Sequence, residues 1–87
     1  MECLIKLFAD FQNSDPKGRV RLNTIGTLND LRDKGVVLKP GLKVLLDDDD
    51  ELKTPGTIVF SNEENIWVAE IDWTLLSIYS KRYFHGN

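Results

Sequence analysis

Apolar and polar residues alternate along several short segments of the chain, which is the pattern of half-buried β-strands. In the clearest segment, 66–73, every odd-numbered residue is apolar, while Glu70 and Asp72 occupy the opposite side. Segment 57–60 precedes it and is also rich in strand formers, and the five residues between them are polar. Two such segments joined by a short polar loop predict an antiparallel hairpin.

Three further segments predict strands. Segment 3–8 is short and rich in strand-forming residues. Segment 42–46 places Leu42, Val44 and Leu46 on one side. Segment 19–22 places two arginines on the side opposite Val20 and Leu22. This pattern directs the two apolar side chains inward and the arginines outward. The turn-forming residues in 11–18 would allow the first two strands to pair as a hairpin with a long loop.

Two short helices are expected beside the strands. The first is predicted over Thr27–Lys34, with Thr27 as its N-cap and Gly35 just past its end. The second is predicted over 74–79, capped by Asp72 or Thr74.

Short connections favour antiparallel neighbours, and a small sheet hides its edges best by curling into a barrel. A flat sheet with both helices on one face is the alternative. The prediction is a single domain over residues 1–80, followed by a flexible tail at 81–87.

The composition fits one small folded domain of 87 residues, of which 41% are hydrophobic and 29% charged. No apolar run is long enough to span a bilayer, and the first residues have no features of a secretory signal. A single cysteine, Cys3, cannot form an internal disulfide. These features predict a cytoplasmic protein that makes no contact with membranes.

Charge is distributed unevenly along the sequence. Residues 1–46 carry a net charge of +3 and residues 47–87 a net charge of −6. Five acidic residues follow one another from Asp47 to Glu51, and such a run is expected in a solvated loop. An EF-hand does not fit, because Leu52 stands where glycine is needed and Ile58 where glutamate is needed. An acidic partner-binding patch and a weak cation site stay open as alternatives.

Three segments, 40–46, 56–60 and 66–73, together resemble the body of an SH3-like barrel of the Tudor-like or KOW-like kind. The resemblance covers about residues 36–80. It implies a mainly β fold: a small antiparallel, partly open barrel of about five strands with one or two short helices. Residues 19–23 with 71–73 also resemble small bacterial proteins of this size. Barrels of this class carry many unrelated functions, so no residue role can be transferred from the family.

The residues needed for most catalysis are missing from the sequence. The only histidine, His85, lies in the predicted tail, and Cys3 lies in an apolar segment. The sequence shows no Ser–His–acid set, phosphate-binding glycine loop or zinc ligand set. Glu70 and Asp72 could form a carboxylate pair, but ion pairing with one of the strand arginines is favoured. We therefore expect no enzyme activity, no cofactor and no metal site.

Two surfaces are candidates for binding a partner: the strand face with Arg19 and Arg21, and an aromatic rim with Trp73 and Tyr79. The favoured hypothesis is a non-catalytic protein-interaction or accessory module, because uneven charge gives oriented attraction to another protein. The same unevenness leaves a homodimer open. The alternative is a nucleic-acid-binding module of the KOW or Tudor-like kind. It is less favoured because no aromatic residue alternates with the arginines to stack on bases.

Overall fold

The computed structural model describes residues 4–50 and 52–75, in which five strands form one mixed sheet with a helix beside it. In spatial order the strands run β1, β3, β4, β5, β2. Their bounds are β1 Ile5–Phe8, β2 Val20–Arg21, β3 Lys43–Asp47, β4 Lys53–Ser61 and β5 Ile66–Ile71, and the helix α1 spans Ile25–Lys34.

Strands β3, β4 and β5 form an antiparallel meander at the centre of the sheet. The register places Val44 opposite Gly56 and Ile58 opposite Ala69. In the loop between β4 and β5, the backbone N–H of Asn65 donates to the Ser61 carbonyl at 2.7 Å, and Asn65 has a left-handed φ of 59°. This arrangement confirms the predicted hairpin between the last two strands.

The first two strands do not pair with each other, which corrects the predicted hairpin. Strand β1 pairs with β3 in parallel, and β2 pairs antiparallel with β5. On the side away from β5, β2 forms hydrogen bonds with the loop that precedes it. The Arg21 N–H donates to the Asn13 carbonyl at 2.8 Å. The Asp15 N–H donates to the Arg19 carbonyl at the same distance. The two strands therefore lie at opposite edges of the sheet.

One face of the sheet carries the hydrophobic core. The sheet is not closed on itself, so the prediction of a mainly β, partly open fold of five strands is confirmed. Trp67 and Ile71 pack against this core, as their place on the alternating strand predicted, and Trp67 meets the Phe60 ring edge-on at 5.1 Å. The buried cluster consists of Leu7, Ala9, Phe11, Val20, Leu22, Val44, Leu46, Ile58 and Ala69.

Helix α1 begins earlier than the sequence pattern predicts. Its N-cap is Thr24, whose hydroxyl accepts a hydrogen bond from the Thr27 N–H, so the predicted cap at Thr27 is wrong. The Thr27 side chain is fully buried and donates instead to the Phe8 carbonyl at 2.7 Å. The helix ends before Gly35, which adopts the left-handed conformation expected at that position.

The outer edge of β1 is covered by one face of the helix. Besides Thr27, Asp30 accepts from the Phe8 N–H at 2.8 Å, and the Lys34 ammonium donates to the Lys6 carbonyl. Residues at spacings of three and four lie on one helix face, so these three side chains meet the strand together. They occupy backbone groups that would otherwise be free to pair with another chain.

The chain turns helical again at residues 73–75. The Asp72 carboxylate accepts from the Thr74 N–H at 2.9 Å, so Asp72 is the cap of the two candidates. The remainder of the helix predicted over 74–79, Tyr79 included, and the predicted tail at 81–87 lie outside the described residues. Within the described ranges, no helix is long and apolar enough to cross a membrane.

Replacing Thr27 with valine tests the covering of the β1 edge. The substitution keeps the side-chain shape but leaves the partly buried Phe8 carbonyl without its hydroxyl donor. We expect a loss of about 1–3 kcal/mol in the free energy of unfolding, measured by urea denaturation. The control is Asn29→Ala on the exposed side of the helix, which should be neutral or slightly stabilising.

Replacing Gly26 with alanine tests the close approach of helix and strand. Alanine normally stabilises a helix relative to glycine. Here a Cβ at residue 26 would lie 2.6 Å from Cδ2 of the Phe8 ring, so the ring would have to move. We expect Gly26→Ala to lower the free energy of unfolding by about 1–3 kcal/mol. A gain in stability would show that the helix does not pack this closely on Phe8.

Candidate protein-interaction site

The loop before β2 is organised by the carboxylate of Asp15, whose side chain is only 2% exposed. One carboxylate oxygen accepts from the backbone N–H groups of Lys17 at 3.0 Å and Arg19 at 2.8 Å. The other accepts from Nε of Arg19 at 2.9 Å. The Gly18 N–H closes the turn on the Asp15 carbonyl at 2.9 Å, with Gly18 at a φ of 81°.

Asp15 is held in its charged form by these donors. Burial alone would raise the pKa of the Asp15 carboxyl, but the backbone and side-chain hydrogen bonds from Arg19 outweigh it and the pKa is lowered. The carboxylate is therefore ionised at neutral pH and can act as a fixed acceptor for the turn.

Arg19 and Lys17 are both paired with acidic groups of the same chain. The Arg19 side chain is 14% exposed, and its guanidinium also lies 3.6 Å from the carboxylate of Glu63. The Lys17 ammonium donates to Glu63 at 2.8 Å. This hydrogen bond from Lys17 is the main reason that the pKa of Glu63 is lowered to about 2.

All three nitrogens of the Arg21 guanidinium donate hydrogen bonds. Its Nε and one terminal nitrogen each donate to an oxygen of Glu64 at 2.7 Å, and the other terminal nitrogen donates to the Ser14 carbonyl at 2.9 Å. The hydrogen bond from Arg21 lowers the pKa of Glu64. Arg21 lies directly across from Val68, which is fully buried on this outer face of the sheet.

The expected pairing of the strand arginines with Glu70 or Asp72 does not occur. Their partners are Asp15, Glu63 and Glu64, because the β2 loop and the β4–β5 loop both fold towards the arginine face. The Glu70 carboxylate makes no hydrogen bond or ion pair with any described residue. The role of Asp15 was missed by the sequence reasoning, although its place before proline in a turn-rich segment is a signal for backbone capping.

Trp73 brings the two predicted surfaces together. Its indole N–H donates to the Gly18 carbonyl at 2.7 Å, and the residue is still 40% exposed. The ring and the turn are in close contact, because a Cβ on Gly18 would lie 3.2 Å from the indole nitrogen. Together they border a surface hollow of about 490 Å³, lined by Lys17, Gly18, Arg19, Glu70, Ile71 and Trp73.

Of the four residues predicted to bind a partner, the structure places two in this hollow, namely Arg19 and Trp73. Arg21 is not among the lining residues of this hollow and is engaged with Glu64. Tyr79 lies outside the described residues.

The acidic run extends from the end of β3 towards β4, and two of its carboxylates accept hydrogen bonds from backbone N–H groups of the same segment. Asp47 accepts from the Asp49 N–H at 2.7 Å, and Asp48 accepts from the N–H groups of Asp50 and Leu52. Lys6 lies 3.3 Å from the Asp49 carboxylate. Within residues 4–50 and 52–75, no three histidine, cysteine or acidic side chains are grouped so as to hold a metal ion.

No protein-family model, curated protein or solved structure matches this chain. Its function must therefore be inferred from the shape of the hollow and the charges around it.

Acid should weaken the fold through the carboxylates of the arginine face. Groups whose pKa is lowered by folding stabilise the native state above their unfolded pKa, and this contribution is lost as the pH falls through the folded value. For Glu63 that window runs from 4.5 down to about 2, and Asp15 and Glu64 shift in the same direction. We expect the urea midpoint to drop steadily through this range.

The variant Asp15→Asn should flatten this pH dependence and lower the midpoint at pH 7, because Arg19 loses its charged partner. Asp33→Asn is the matched control, since Asp33 and its partner Arg32 are both largely exposed. If Asp15→Asn keeps the full pH dependence, the stabilising role assigned to this carboxylate is wrong.

Proposed function

We propose that the chain is a non-catalytic protein-interaction module that binds its partner at the hollow bordered by Trp73. The observation that carries the proposal is the state of the Trp73 indole, which is oriented by a hydrogen bond and yet 40% exposed. Tryptophan is enriched among the residues that dominate the energy of protein interfaces. A ring that is ordered before binding also loses less conformational entropy in the complex.

Arg19 belongs to the proposed surface as a lining residue whose charge is already matched by Asp15 and Glu63. Arg21 contributes by holding the neighbouring loop through Glu64. Tyr79 stays part of the proposal as the second aromatic residue of the rim. The kinship with SH3-like barrels is also proposed, and the β3–β4–β5 meander, which covers the resembling segments, supports it.

Binding of nucleic acid is the second hypothesis, and the paired arginines count against it. Phosphate binding relies on free cationic groups and on the release of counterions. The guanidinium groups of Arg19 and Arg21 are both engaged with carboxylates of the same chain. We therefore expect the protein to elute from a heparin column at low salt, whereas retention at high salt would favour nucleic acid.

The test of the interaction surface is Trp73→Ala in affinity capture from native cells. We expect the variant to fold, with a loss of about 1–2 kcal/mol from the missing hydrogen bond and packing, and to lose the protein captured by the wild-type chain. Circular dichroism and urea denaturation check the fold.

Phe60→Ala is the matched control for this capture. Phe60 is a comparably exposed aromatic residue, 37% against 40%, and it does not line the hollow. The control should retain the partner. Equal capture by wild type and Trp73→Ala would contradict the proposed surface.

A further inference from the structure

We infer that the hollow recognises an arginine side chain of the partner protein, paired with the Glu70 carboxylate and stacked on the Trp73 indole. This inference rests on the proposed function and names the chemistry of the partner. Its basis is that a carboxylate without a partner among residues 4–50 and 52–75 lines the same hollow as an exposed, oriented aromatic ring.

The charged residues that line the hollow are Lys17, Arg19 and Glu70. Lys17 is paired with Glu63 and Arg19 with Asp15. Glu70 is exposed, and its carboxylate has no partner among the described residues. The balance of the described charges is therefore negative, and a cation would complement it.

Lys43 lies on the same row of the sheet as Glu70 but does not pair with it. Lys43 lies across from Thr57, and Thr57 lies across from Glu70. The Lys43 ammonium donates to the Thr57 hydroxyl at 2.9 Å and forms no ion pair with Glu70. Neither this lysine nor any other described residue pairs with the Glu70 carboxylate.

Trp73 supplies the aromatic side of the hollow. The indole is held by its N–H edge on Gly18, so its exposed part belongs to a ring of fixed orientation. Cations bind to the face of tryptophan more strongly than to other aromatic side chains. Ile71 also lines the hollow, while its side chain packs against the core.

Arginine fits these three features better than lysine. Its planar guanidinium stacks on an indole and offers paired N–H donors to a carboxylate at the same time. An ammonium group is a compact charge that is strongly hydrated and makes the carboxylate contact only at the cost of its water shell.

The experiment is a titration of the uniformly ¹⁵N-labelled full chain with N-acetyl-arginine amide, followed by the indole N–H signal of Trp73. N-acetyl-citrulline amide is the neutral control of nearly the same shape. We expect a saturable shift with the arginine probe and none with citrulline. Glu70→Gln should weaken the arginine affinity about three- to fivefold, as loss of an exposed charge-assisted contact would. Asp33→Asn is the matched acidic control and should leave the affinity unchanged.

A citrulline response equal to that of arginine, no saturable response, or an unchanged affinity in Glu70→Gln would overturn the inference. Capture of the native partner separates this failure from failure of the proposed function. Capture that is lost in Trp73→Ala but kept in Glu70→Gln refutes arginine recognition and leaves the interaction surface standing. Capture that is kept in both variants refutes both.

Discussion

The buried carboxylate of Asp15 is the interaction on which the candidate site depends. A charge that is only 2% exposed needs donors, and the chain supplies two backbone N–H groups and the Arg19 side chain. These bonds fix the turn at Lys17 and Gly18, and the turn directs the Gly18 carbonyl to the indole of Trp73. The orientation of an exposed tryptophan therefore follows from a buried acid 58 positions earlier in the chain.

The register of the sheet explains why a hollow forms beside that turn. Strand β2 begins at Val20 opposite Ala69, while β5 continues to Ile71. Glu70 and Ile71 therefore extend past the end of β2, and the turn at Gly18 bends back instead of following them. Elsewhere the edges are covered, by helix α1 on β1 and by residues 13–15 on β2. At the end of β5, Glu70 and Ile71 therefore have no strand neighbour on the β2 side.

Local features of the fold could be predicted from the sequence. The alternation in 66–73 correctly assigned Trp67 and Ile71 to the core side, and Gly35 marked the end of the helix because few other residues adopt its backbone conformation. Pairings between distant segments could not be predicted. Leu7 lies beside Leu46 in a parallel pair, and this choice depends on the whole sheet and on no local pattern. Thr27 looked like a cap because its spacing fits one, but its hydroxyl is used by Phe8.

In the candidate site, too, individual residues could be predicted from the sequence, but contacts between distant segments could not. The sequence pointed to Arg19 and Trp73 as separate surfaces, and it could not show that a turn brings them to one hollow. It also assigned Glu70 a partner in β2. That expectation failed because Glu63 and Glu64 come from a loop whose position relative to β2 is set by the β2–β5 pairing. Which of several carboxylates reaches a given arginine depends on how distant segments of the chain pack together.

The uneven charge of the sequence is largely cancelled by the fold. Lys6 pairs with Asp49, Lys17 with Glu63 and Arg21 with Glu64. Each of these pairs joins a basic residue of the positive first half to an acidic residue of the negative second half. Charges paired at short separation largely cancel at the distance of an approaching partner. The long-range electrostatic attraction expected from the uneven charge of the sequence is therefore weakened. In the hollow, the Glu70 carboxylate pairs with no described residue, and it shares this hollow with an aromatic ring that the fold holds in place.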